Sequence, residues 1–144
     1  MRISGLWYLC DDGVVRPVIR GEIQAADGSW VKAPFLVDTG ADRTVFSADI
    51  LKALHFQPIE SLDQLSGVGG MAHSVVVETQ IRLTHDEAGK AVFKGQFAGF
   101  TDAEALDMSV LGRDILNLFA LIVDRQADTV YLVGQKHFYT IGIR

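Results

Sequence analysis

An apolar stretch, Phe35-Leu36-Val37, runs directly into Asp38-Thr39-Gly40-Ala41-Asp42, and this junction constrains the chain more than any other. A carboxylate beside that much apolar surface is costly unless something neutralises or uses it. Gly40 allows a sharp turn and a close approach of backbone to ligand. Thr39 puts a hydroxyl, both donor and acceptor, into the same turn. The ordinary alternative is a polar turn closing a strand.

Two further segments bear on that choice. Ser66-Gly67-Val68-Gly69-Gly70 lies between strand-like Ser61–Leu65 and Ser74–Leu83. Its bland reading is a hairpin turn. A phosphate-binding loop would need a Gly-Lys-Ser/Thr ending and a helix after it, whereas a Val75-Val76-Val77 strand follows. The other segment is Ser109-Val110-Leu111-Gly112-Arg113-Asp114-Ile115-Leu116, an apolar pair, then Gly-Arg-Asp, then an apolar helix start.

In this order, over roughly residues 30 to 120, the three segments resemble those of the retropepsins, the retroviral-type, half-size branch of the aspartic proteases. The resemblance implies a mostly β, closed-barrel acid protease fold with one or two short helices. Asp38, Thr39 and Gly40 become the catalytic loop. Asp42, Ala41, Gly67, Val68, Gly69, Leu36 and Val110 become substrate-binding positions, with Val45 and Met108 as further pocket walls. Ordinary core packing is the alternative for the apolar ones. Gly67–Gly69 would be a flap tip. Gly112 would pass too close to the Asp38 loop for a Cβ. Arg113 would pair with Asp42 in an at least partly buried contact.

Aspartic proteases use two carboxylates that share a proton, and this chain carries one Asp-Thr-Gly and no Asp-Ser-Gly. The resemblance therefore implies a homodimer with two Asp38 side chains on a twofold axis, bridged by Thr39, acting on a peptide or protein substrate. More chain precedes the Asp-Thr-Gly and follows the Gly-Arg-Asp than in compact viral enzymes. With its own Met1, the chain fits a stand-alone cellular or bacterial relative, with a dimer interface that could be built differently.

Composition narrows the remaining classes. At 144 residues the chain is expected to form one domain, residues 1–144. It is 49% hydrophobic, enough for a core without disulfides, and the single Cys10 cannot make one. A net charge of -5 argues against nucleic acid. Charges interrupt every apolar stretch well short of the ~18 residues of a membrane span. Two Asp follow the short apolar start, so no signal peptide is read and the expected address is the cytoplasm. His55, His73, His85 and His137 lack metal-ligand spacing, and no metal or cofactor is expected. Asp11-Asp12 and Asp102–Asp107 read as solvated loops.

Periodicity predicts strands over Val14–Ala26, Trp30–Val37, Val45-Phe46, Ala91–Ala98, Ala120–Val123, Thr129–Val133 and His137–Ile143, in addition to those already named. It predicts a turn at Asp27-Gly28, a second at Asp86–Lys90, a helix over Ala48–Leu54 capped by Ser47, and another over Asp114–Phe119. The competing function is a non-catalytic peptide-binding or dimerisation module on the same fold. It would have no need of Asp38 as an acid.

Overall fold

Short runs of β-branched and aromatic residues, broken at regular intervals by polar turns, make this chain a sheet former. The computed structural model describes residues 1–57, 59–67 and 70–134. Its first half contains strands β1 (Arg2–Ser4), β2 (Leu6–Leu9), β3 (Val15–Gln24), β4 (Trp30–Val37) and β5 (Val45–Phe46), then helix α1 (Ala48–Leu54). The second half contains β6 (Ile59–Gly67), β7 (Gly70–Thr84), β8 (Lys90–Phe100), β9 (Ser109–Leu111), helix α2 (Arg113–Leu116), β10 (Ala120–Asp124) and β11 (Thr129–Val133).

The larger sheet runs β2-β3-β4-β9-β5-β8-β7-β6. Strand β3 also pairs with β7, Glu22 opposite Arg82 and Ile23 opposite Ile81, and this closes the strands into a ring. The fold is thus mostly β with two short helices, as the sequence predicts. A smaller sheet, β1-β11-β10, packs beside the ring. Its Ile3, Val130 and Leu132 share one buried core with Ile19, Ile23, Phe35, Ile81 and Leu83 of the ring. Phe46 sits edge-on to Phe35 at 6.4 Å and tilts against Phe97 at 5.8 Å, tying the short β5 to both sides of the core.

Several local expectations change. The N-terminus, in which the sequence shows no clear strand, forms β1 and β2. Their apolar residues are too few to display a period, and partners distant in sequence, β11 and β3, define them. Ser47 occupies the α1 N-cap position, but its side chain makes no capping bond. Its backbone N–H instead donates to Ser109 Oγ at 3.0 Å. Helix α2 ends at Leu116 rather than Phe119. The β7–β8 turn falls where the sequence predicts it, and Ala88 within it takes a left-handed φ of 71°. The predicted strand His137–Ile143 lies outside the described residues, as do Val68 and Gly69.

Candidate active site

Asp38 leaves the end of β4 at a point where three strands meet. Strand β9 lies parallel to β4, with Leu36 opposite Val110 and Val37 opposite Leu111. On its other side β9 pairs with β5 through Val110 and Val45. The loop joining β4 to β5, residues 38–44, therefore has to arch over β9. Its first residue is tied down at once: Asp38 N–H donates to the Leu111 carbonyl at 3.1 Å. The chain then turns, with Ala41 N–H donating to the Asp38 carbonyl at 3.2 Å. The half-buried Asp38 accepts a bond at Oδ1 from Gly40 N–H at 2.9 Å. No cation pairs with this carboxylate among the described residues.

The far side of the loop is clamped by the segment after β9. Gly112 passes so close that an added Cβ would lie 2.3 Å from the Arg43 carbonyl carbon and 2.4 Å from its oxygen. The close approach expected at this glycine is present. Arg113 N–H donates to the Ala41 carbonyl at 2.9 Å, and its guanidinium reaches the Thr39 carbonyl at 3.4 Å. The guanidinium also pairs with Asp42, as the motif implies. The expectation that this pair is partly buried is overturned. The Asp42 side chain is 80% exposed and that of Arg113 46%, because both project from the outer rim of the loop.

Thr44 and Asp114, which the sequence reading did not single out, form the tightest part of the clamp. Thr44 N–H donates to both Asp114 oxygens, at 3.0 and 2.9 Å, and its hydroxyl donates to Oδ1 at 2.7 Å. Thr44 Oγ1 in turn accepts from Gly112 N–H at 3.1 Å. Thr44 is fully buried, so each of these groups needs its partner. The available signal was an acid immediately after Gly-Arg, in the first turn of a helix.

Leu36, Val45 and Val110, all expected as pocket walls, come together with Ala41 in one apolar cluster completed by Ala98, Phe100, Ala105 and Leu106. Met108 is half-buried but is not part of it. Gly67 ends β6 opposite Gly70 of β7. The Thr39 hydroxyl has no partner among the described residues. Two clefts, one between Gln24 and Lys94 and the other between α1 and Thr101, lie away from Asp38. Among the described residues no group of His, Cys, Asp and Glu could hold a metal ion.

The geometry can be set beside known proteins. The aspartyl protease family model matches residues 21–115. The retropepsin-like aspartic protease from Rickettsia conorii shares 20% identity over 92% of this chain and 98% of its own, with a TM-score of 0.63. EIAV protease complexed with the inhibitor HBY-793 shares 23% identity over 71% of this chain and 86% of its own, with a TM-score of 0.52. No curated protein sequence matches significantly. The fold is that of the retropepsins, and the matched segment holds both the Asp38 loop and the Gly112–Asp114 clamp: the chain belongs to the aspartyl protease family.

Proposed function

We propose that the protein is an aspartic endopeptidase that works as a homodimer, each subunit contributing one Asp38. The observation that carries this reading is a clamped loop presenting a carboxylate that, among the described residues, has one hydrogen bond and no ion pair. Both the loop and its clamp lie within the segment that the aspartyl protease family model matches. In the dimer, the unprotonated Asp38 takes a proton from a water molecule as that water attacks the peptide carbonyl carbon. The protonated Asp38 of the other subunit gives its proton to the carbonyl oxygen. Two carboxylates this close cannot easily both ionise, so they hold one proton between them. The Thr39 hydroxyls would brace the two loops across the axis.

Two features of the surface favour a second copy. Among the described residues strand β10 is paired on one side only, and an open strand edge is a template for another chain. Ile122 and Val123 on that strand are 44% and 47% exposed, and Leu118 just before it is 62% exposed.

The test is a mixing experiment on peptide cleavage. Asp38→Asn protein is expected to be inactive, and adding it in excess to wild type should depress activity well below simple dilution, because mixed dimers carry one acid. An Asp38→Asn variant that cuts as fast as wild type would overturn the assignment. Unchanged wild-type activity in the mixture would overturn the shared site.

A further inference from the structure

The loop after Asp38 carries two charged side chains, Asp42 and Arg43, and the clamp beneath it carries two more, Arg113 and Asp114. Three of the four are engaged. Asp42 pairs with Arg113, and Asp114 holds Thr44. Arg43 is exposed and has no hydrogen bond, ion pair or ring contact among the described residues. Its backbone is nevertheless fixed on both sides, by the contact of Gly112 with its carbonyl and by the Thr44–Asp114 bonds. Ala41 and Val45, two residues before and after it, both belong to the apolar cluster with Leu36 and Val110. Arg43 is thus a free guanidinium on a rigid post at the margin of that apolar surface.

We propose that Arg43 is a specificity-determining residue that selects an acidic side chain in the substrate, close to the scissile bond. The proposal rests on the protease reading and adds the substrate class: peptides with an apolar residue flanked by Asp or Glu. The planar guanidinium matches a carboxylate with two parallel hydrogen bonds, a fit that a lysine ammonium lacks. In a twofold dimer there are two Arg43 side chains, so the preference falls on both sides of the cleaved bond. Another edge of the cluster differs. Ala105 and Leu106 pack on the same cluster, while Asp102, Glu104 and Asp107 of their loop are exposed. The preference is therefore confined to the positions that reach Arg43 and is not a general attraction for acidic peptides.

The experiment compares peptides that differ by Glu against Gln at each position around one apolar cleavage site. For wild type, kcat/KM is expected to favour Glu by about threefold or more at one position on each side, the effect of a partly exposed ion pair. Arg43→Gln should bring that ratio to one, Arg43→Lys should retain part of it, and Arg43→Glu should reverse it. An unchanged ratio in Arg43→Gln, or a wild-type ratio of one everywhere, overturns the proposal. Binding of the same peptides to Asp38→Asn protein, with and without Arg43→Gln, reads the preference without cleavage. A Glu preference in binding with no cleavage by wild type would overturn the protease reading alone.

Discussion

Asp114 accepts three hydrogen bonds from Thr44, two from the backbone N–H and one from the hydroxyl, and so fixes the exit of the Asp38 loop to the start of α2. Removing the carboxylate leaves a buried N–H and a buried hydroxyl without partners, at about 1–3 kcal/mol. Asp114→Ala is expected to lose that much in urea unfolding, and Asp114→Asn, which keeps one acceptor, less. The double variant Asp114→Ala/Thr44→Val should be strongly non-additive, because the two side chains act on each other. Additive losses would show that the contact contributes nothing to stability.

The Arg113–Asp42 pair lies in solvent on the isolated chain. An exposed pair is worth less than about 1 kcal/mol, so Arg113→Ala should lower monomer stability by no more than that. At concentrations where dimer forms, a second subunit covering the rim would enlarge the loss. Unfolding midpoints of wild type and Arg113→Ala, followed across protein concentration, check this. A loss of several kcal/mol in dilute monomer would contradict the exposure.

Two glycines of the site should respond in opposite ways. A Cβ at Gly112 would meet the backbone of Arg43 and Thr44 at 2.3–2.8 Å, which no side-chain movement relieves. Gly112→Ala is expected to cost about 1–3 kcal/mol or more. At Gly40 the added Cβ would meet only Asp38 Oδ1, at 3.2 Å. Gly40→Ala should leave the unfolding midpoint near wild type while lowering kcat, since what it displaces is the carboxylate. Equal stability losses in the two variants would contradict this assignment.

Ring closure carries a pH-dependent contribution. Glu22 faces Arg82 across the β3–β7 pairing, 3.0 Å from its guanidinium, with the Lys90 ammonium at 3.4 Å. Hydrogen bonding from Arg82, ahead of its charge and of Lys90, holds the Glu22 carboxyl below its ordinary value. A depressed folded-state value stabilises the fold above the unfolded value, and that stability is lost as pH falls through the folded value. Glu22→Gln should therefore lower stability at pH 7, by the less than about 1 kcal/mol typical of an ion pair near the surface. The difference from wild type should shrink below about pH 4. A mutant penalty that stays constant from pH 7 to pH 3 would show that Glu22 acts through packing alone.

Much of this molecule is written in local sequence. Strands β3, β4, β8 and β11 follow the predicted runs closely because their inward residues are large and apolar. The turn at Asp27-Gly28 follows because Gly28 adopts φ 86°, a conformation glycine reaches without strain. The Asp38 loop, the Gly112 crossing and the Arg113–Asp42 contact were equally legible, since each is a short motif whose residue types leave few alternatives. Tertiary structure alone decided the rest. Strands β1 and β2 exist because β11 and β3 offer them unpaired edges, and no window of their own sequence encodes that. The exposure of Arg113 and Asp42 depends on which side of the loop faces water, a property of the assembled ring. The Thr44–Asp114 bonds join residues 70 positions apart, and neither side chain shows its partner until β9 is threaded between β4 and β5.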